Sequence, residues 1–260
     1  MNNTSCILTV IKNEHEYLDE WIKYHLDLGI NHIFILEDTD SESHKDICDK
    51  YDCVSLSCVD VVLDEKERKK ANEYKLTKQK NSQEIYFPKV LSWIKANYQY
   101  DWCFVIDVDE FITSYKPISD VLSEFQSYDG IVIQWKVFGA NGQVSKPSYI
   151  DKGVVKTYTK ESNYAGHFVL EWTTKTCYNL HTFKESYFKN NHQPTDECNW
   201  CRTDFSNSRS KIIYDKMYIK HYMTKSWEEY IGKRKRGYFM GFARTVDMFF
   251  RINQDMFSLK

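Results

Sequence analysis

A chain of 260 residues has room for one large domain or two small ones around a sizeable core. Its 42% hydrophobic and 28% charged residues exclude a disordered or membrane-embedded chain, and a formal net charge of −2 excludes whole-chain attraction to nucleic acid. The 19 Tyr, 15 Phe and 7 Trp against only 4 Pro and 9 Gly suit a stiff α/β body with flat apolar faces.

Cys6 to Ile11 is a β-branched apolar run that predicts a buried parallel strand, entering the polar loop Lys12-Asn13-Glu14-His15. Tyr17, Leu18, Trp21, Ile22, His25, Leu26 and Leu28 then recur at helical spacing until Gly29 stops them. His32 to Leu36 reads as a second strand, ending in the acidic Glu37-Asp38-Thr39-Asp40. This β-α-β opening implies a parallel pair with a right-handed crossover. Ile47 to Tyr51 closes a second helix and Val54 to Leu63 forms a third strand, while Asp64 to Lys80 is either a loop or a solvated helix. Ile85 to Tyr98 is helical, with Pro88 tolerable only near its start. Trp102 to Ile106 is continuously apolar and predicts a central strand buried on both faces, followed directly by Asp107-Val108-Asp109-Glu110.

Beyond it, Gly130 to Tyr158 is strand-like with turns at Gly139 and Gly142, Glu161 to Asp215 is polar and aromatic without clear period, and Lys220 to Phe250 is helical and basic. No repeat or Pro/Ser-rich linker appears, so the expectation is one domain with a helical tail. The eight cysteines fall at irregular spacings and read as thiols of a reducing interior. With no basic segment before an apolar stretch at the N-terminus, and no run of about 18 apolar residues, a cytosolic chain is expected. Its membrane association would be peripheral, at the inner face of the cytoplasmic membrane.

Strand side chains alternate, so Asp107 and Asp109 at the end of a buried strand would point to one side. Two carboxylates held together repel unless one is protonated or a cation lies between them. The carboxyl end of a parallel sheet is also where ligands of open α/β folds bind. A hard divalent cation sharing its oxygens with a diphosphate meets both constraints. The alternative is that these acids cap a helix or solvate a loop.

Lys12-Asn13-Glu14 with Tyr17-Leu18-x-Glu20-Trp21-Ile22-x-Tyr24-His25-x-x-Leu28-Gly29, the Asp38 region, Gln83, Trp102 to Ile112, Trp135-x-x-Phe138-Gly139-x-x-Gly142 and His221-Tyr222-x-x-Lys225-Ser226-x-Glu228-Glu229-Tyr230 together resemble glycosyltransferase family 92 and its bacterial family 2-like relatives. The resemblance implies an α/β chain of GT-A fold, a Rossmann-like mixed central sheet flanked by helices. Residues 1–221 would form the catalytic domain, with a nucleotide-binding half at 1–112 and an acceptor-side half at 113–221. Residues 222–260 would form a basic, aromatic, helical segment packed on it. The implied activity is transfer of a sugar from a nucleotide sugar, a UDP-sugar such as UDP-galactose, to a glycan or lipid-linked acceptor in cell-surface polysaccharide or lipopolysaccharide synthesis. It would proceed with inversion and require Mn²⁺ or Mg²⁺.

Carried over, the resemblance places Asp107 and Asp109 at the ribose and the metal-bound diphosphate. It gives Val10, Lys12, Asn13, Glu14, Asp38 and Gln83 to the nucleotide, His221 to the metal as third protein ligand, and Lys225 to the leaving diphosphate. Imidazole suits Mn²⁺ and a lysine point charge suits phosphate. His221 could equally be a buried, hydrogen-bonded histidine, and Lys225 a helix-surface charge. Inversion needs a base for the acceptor hydroxyl, for which Asp196, Glu197 and Glu171 are the candidates, each also readable as a surface acid. The segments Val155 to Thr159, Lys175 to His181 and Lys189 to Asn207 depart from the family pattern.

Further constellations stand beside this one. Cys177, His181, His192, Cys198 and Cys201 are either a zinc site or unrelated thiols and loop histidines. Asp107 and Asp109 could serve a haloacid-dehalogenase-like phosphotransferase, although that class wants the motif on the first strand and a Thr or Val where Phe111 stands. A non-catalytic sugar-binding module is the third reading. Last, residues 225 to 251 carry seven Lys/Arg against three acids among many aromatics, which suits either an anionic bilayer or a core-packing helix with a solvated basic face. Trp135, Phe138, Trp172 and Trp200 could stack on sugar rings or pack the core.

Overall fold

The computed structural model describes residues 3–38, 41–59, 61–77, 83–149, 152–162, 173–236 and 245–254. The chain opens as β1 (Ser5–Ile11), α1 (His15–Asp27), β2 (His32–Glu37), α2 (Lys45–Cys48) and β3 (Val54–Cys58), with β1, β2 and β3 mutually parallel. The stop after α1 has a definite geometry: Gly29 adopts φ +101°, its N–H meets the Leu26 carbonyl, and the Ile30 N–H meets that of His25, both at 3.0 Å. This is the double bond of a Schellman cap, which needs the left-handed conformation glycine supplies. β3 ends at Cys58, short of the expected Leu63, because Cys58 pairs with Glu37 and β2 offers no partner beyond it.

The charged stretch after β3 forms α3 (Glu65–Thr77), and α4 (Gln83–Asn97) follows with Pro88 as its sixth residue. β4 (Trp102–Val105) is fully buried between β1, parallel to it, and the antiparallel β7 (Thr174–Asn179). The rest comprises β5 (Glu110–Ser114), α5 (Ile118–Ser123), β6 (Gly130–Val137), α6 (Gly153–Thr157), β8 (Trp200–Arg202), β9 (Met217–His221), α7 (Trp227–Arg236) and α8 (Val246–Ile252). The sheet runs β3-β2-β1-β4-β7-β6-β9-β5, with β8 alongside β6. It is a mixed α/β architecture whose central sheet is flanked by helices.

Alternation along the strands divides the core into two layers. Ile7 and Phe104 face α1 with Trp21, Ile22 and Phe111, whereas Cys6, Leu8, Cys103 and Val105 face α4 with Phe87, Val90 and Leu91.

Three expectations change in the second half. The strand from Gly130 stops at Val137, and residues 153–157 are helical instead, because the Glu20 carboxylate accepts the N–H groups of Val154 at 2.6 Å and Val155 at 3.2 Å. The segment without period contains two strands, β7 and β8. The helical tail begins as a strand, since Met217 to His221 pair with both β5 and β6.

Helix α7 then starts on a reciprocal cap: the Glu229 N–H donates to Ser226 Oγ at 3.2 Å and the Ser226 N–H donates to Glu229 Oε2 at 3.1 Å. The Ser-x-x-Glu of the family-like block is thus a capping box, a local device worth about 0.5–2 kcal/mol.

Candidate functional site

The acids after β4 sit in a turn rather than on a strand. The Glu110 N–H donates to the Asp107 carbonyl at 3.0 Å, and Glu110 Oε2 accepts the Asp107 N–H at 2.8 Å. Strand alternation therefore does not govern the two aspartates: the Asp107 side chain is 39% exposed and that of Asp109 only 12%. Glu110 opens β5 fully buried, directly opposite His221 in the antiparallel pairing with β9. Tyr222 N–H continues that pairing onto the Asp109 carbonyl at 2.9 Å. Register alone thus carries a histidine more than a hundred residues away to the acidic turn.

α1 secures the other edge of β5. Trp21 Nε1 donates to the Glu110 carbonyl at 2.7 Å, Tyr24 OH to the Ile112 carbonyl at 2.9 Å, and His25 Nε2 accepts the Ile112 N–H at 3.2 Å. An edge strand with open backbone groups is a liability. Here one helix face satisfies it and fixes the acidic turn at the same time. Several residues of the first family-like block are therefore structural supports of the site.

Asp109, Glu110 and His221 each offer a ligand atom within 4.8 Å of the others, the one such group among the described residues. Glu110 Oε1 and His221 Nδ1 are buried with no hydrogen-bond partner among those residues. Two carboxylates and an imidazole suit Mn²⁺ or Mg²⁺, so the residues fit the expected cation. The sequence reading included Asp107 in this set. Asp107 instead meets Lys175 Nζ at 2.7 Å, and the same ammonium lies 3.6 Å from Glu110.

The positive groups come from three elements. Lys175 is buried on β7; burial disfavours its charge, but Asp107 and Glu110 outweigh this and hold it above the usual lysine range. Lys233, on α7, meets Asp109 at 2.6 Å, while His221 Nε2 lies 3.5 Å from the same carboxylate. Burial alone would raise Asp109, but these neighbours hold it well below the ordinary carboxylate value. Burial lifts Glu110 well above its ordinary value; Lys175 opposes the rise and Asp107 and Asp109 add to it.

Lys225, just before α7 at φ +51°, is buried with its ammonium 3.2 Å from the Tyr17 ring centre and no hydrogen-bond partner among the described residues. Burial, and next the charge of Lys233, pull it down to about 7. It is therefore not a surface lysine. Trp135 packs on His221 with ring centres 4.1 Å apart and on His192 at 5.2 Å, so it borders this cluster.

The β1–α1 loop forms a second group. Val10 is the sixth residue of β1; Lys12 pairs with the buried Asp38 at 3.5 Å. Asn13 takes φ +55° and accepts the Glu42 N–H at 2.9 Å, and Glu14 accepts the Tyr17 hydroxyl. Glu14 N–H donates to Nε2 of the fully buried His44 at 2.9 Å, and His44 Nδ1 contacts Glu37 at 2.8 Å. An amide must donate, so Nδ1 carries the ring proton of neutral His44. Gln83, at the start of α4, accepts the Asn191 amide.

Of the base candidates, Asp196 is exposed and paired with Arg209, Glu197 is exposed beside it, and Glu171 lies outside the described residues, as does Trp172. Trp200 stacks under Arg209 at 5.4 Å, and Phe138 packs against Tyr222. The cysteine and histidine set does not come together: Cys177 is buried in β7 while the exposed His181 bonds Asp101 at 2.6 Å. In the basic tail, Tyr230 and Phe249 are buried, and Lys225 and Lys233 are engaged as above. Tyr238, Phe239 and Phe242 lie outside the described residues. No helix among the described residues is long and apolar enough to cross a membrane.

Glu110, which stands beside the expected aspartates, and Lys175, Lys233 and His44 were missed by sequence reasoning. Lys233 had a weak signal, standing three residues after the aromatic Tyr230 and so on its helix face. Lys175 and His44 had none.

No protein-family model matches the chain. No curated protein matches it either. Among solved structures it is similar to HddC from Yersinia pseudotuberculosis, at 10% identity over 88% of this chain and 97% of that one, with a TM-score of 0.43. It is also similar to 4-diphosphocytidyl-2C-methyl-D-erythritol synthase from Anaerococcus prevotii, at 11% identity, 82% and 93% coverage and a TM-score of 0.38. A third likeness is to glucosyl-3-phosphoglycerate synthase from Mycobacterium tuberculosis in complex with Mn²⁺, UDP and phosphoglyceric acid, at 12% identity, 69% and 56% coverage and a TM-score of 0.35.

Proposed function

We propose that the chain is a metal-dependent glycosyltransferase using a nucleotide sugar, of the kind that family 92 and its family 2-like relatives exemplify. One observation carries this reading: Asp109, Glu110 and His221 converge at the carboxyl end of β4, and the buried Lys225 ammonium has no hydrogen-bond partner among the described residues. Acids able to hold a divalent cation, beside cations able to hold a diphosphate, are what departure of a nucleoside diphosphate requires.

In this reading Asp109, Glu110 and His221 hold Mn²⁺ or Mg²⁺, which when bound supplies positive charge to the leaving diphosphate. Lys225 meets the same charge from the protein side. Lys12, Asn13, Glu14 and Asp38 hold the nucleotide, with Val10 and Gln83 bordering it and Asp107 directed to the ribose. The acceptor hydroxyl attacks the anomeric carbon as the bond to diphosphate breaks, and its proton passes to a carboxylate. Asp196, Glu197 and Glu171 are the candidates for that carboxylate, of which Asp196 is already paired with Arg209. The donor is a UDP-sugar and the acceptor a glycan or lipid-linked glycan.

The phosphotransferase alternative is not favoured, because the motif follows the fourth strand and the Asp107 carboxylate faces the Lys175 ammonium. Incubation with Mn²⁺ and a panel of nucleotide sugars tests the proposal. UDP release that chelator abolishes, and that Asp109→Asn lowers by about 10² or more with the fold intact, supports it. Phosphate release from monoesters, or binding without turnover, would replace it with the phosphotransferase or binding-module reading.

A further inference from the structure

Both aspartates of the acidic turn are held by lysine ammonium groups. Asp107 and Glu110 share Lys175, Asp109 holds Lys233 at 2.6 Å, and Lys225 is the third buried or nearly buried ammonium. Each aspartate of the turn is thus matched to a lysine from another element, Asp107 to Lys175 on β7 and Asp109 to Lys233 on α7. A divalent cation reaching Asp109 must displace the Lys233 ammonium, leaving one freed and two added positive charges in a poorly solvated place. That is unfavourable on its own. A diphosphate supplies the missing negative charge, and its oxygens give Lys233 a new partner.

We propose that Lys233 is an exchangeable counter-ion, which holds Asp109 in the ligand-free protein and moves to the diphosphate when a divalent cation takes Asp109. This rests on the nucleotide-sugar reading of the site and adds to it an order of charge exchange: cation and nucleotide diphosphate bind together, each raising the other's affinity. Because such coupling is reciprocal, both partners show the same factor. Lys233 is a positioning residue here, acting through Asp109 and not on the transferred sugar. The first lysine of a basic run suited to a membrane surface then has a different task from Arg234, Lys235 and Arg236.

The test uses the full chain stripped with chelator. Free Mn²⁺ is counted by electron paramagnetic resonance during titration, with and without UDP, for the wild type and for Lys233→Met, Lys233→Gln and Lys233→Arg. In the wild type, UDP should raise Mn²⁺ affinity by about tenfold or more, a typical coupling. Lys233→Met and Lys233→Gln should bind Mn²⁺ alone about tenfold more tightly and lose most of the UDP enhancement, whereas Lys233→Arg should keep the wild-type pattern. Near-ultraviolet circular dichroism identifies any variant whose α7 packing has failed, and two neutral variants guard against the loss of one. If the wild type binds Mn²⁺ and UDP but the folded neutral variants bind Mn²⁺ alone no more tightly than it does, the counter-ion role is overturned while the nucleotide-sugar reading stands. A wild type that binds neither Mn²⁺ nor UDP overturns both.

Discussion

His25 on α1 accepts the Ile112 N–H of β5 at 3.2 Å while its Nδ1 meets the Trp21 carbonyl at 2.9 Å. A carbonyl cannot donate, so Nδ1 carries the proton and Nε2 the lone pair, and the ring must stay neutral to hold both bonds. Burial lowers its pKa to about 3, against an ordinary value near 6.5. The unfolded chain therefore takes up the proton first, and stability falls as the pH drops from about 6.5 towards 3, by at most about 1.4 kcal/mol per pH unit for this group. His192, also lowered to about 3 by burial and the Lys175 charge, adds to the same window. Urea midpoints at pH 7, 6 and 5 should decline, and His25→Phe should be less stable at pH 7 but show a shallower decline. A parallel slope in the variant would remove His25 from this account.

Trp21→Phe keeps the ring in the core but removes the donor to the Glu110 carbonyl. Leaving that buried acceptor unpaired should cost about 1–3 kcal/mol. Because Glu110 follows the acidic turn, Mn²⁺ affinity should weaken as well, and calorimetry on the variant reads both quantities.

Lys175 and Glu110 are both buried, with Asp107 sharing the ammonium. Lys175→Met takes the shared ammonium from Asp107 and Glu110 and should destabilise the protein by about 1–3 kcal/mol. Adding Glu110→Gln should recover part of that loss. A double-mutant cycle with strictly additive losses would show that the two groups do not act as a pair.

His44→Ala removes the acceptor for the Glu14 N–H. The fold should survive, but the loop from Lys12 to Glu14 loses its brace. UDP affinity should fall about 5- to 30-fold, the equivalent of about 1–2 kcal/mol. Unaltered affinity in equilibrium dialysis would mean that this loop does not bind the nucleotide.

Gly153 takes φ +67°, and a Cβ there would lie 2.3 Å from Glu20 Oε1. Gly153→Ala should displace the carboxylate that caps α6 and lower the melting temperature by several degrees, corresponding to about 1–2 kcal/mol.

What could be read in advance was whatever repeats locally. The β-α-β opening, the stop at Gly29 and the buried β4 run show in periods of two and 3.6 residues, and the acids after β4 are adjacent in the chain. The resemblance contributed His221 and Lys225, although it could not distinguish their roles from those of core or surface groups. Tertiary structure alone decided which distant groups meet. Pairing of β5 with β9 sets His221 against Glu110, pairing of β7 with β4 brings Lys175 to Asp107, and the packing of α7 sends Lys233 to Asp109. Periodicity records which face of an element is apolar but contains no register between elements far apart in the chain. A lysine buried against a carboxylate is, in sequence, indistinguishable from one in water.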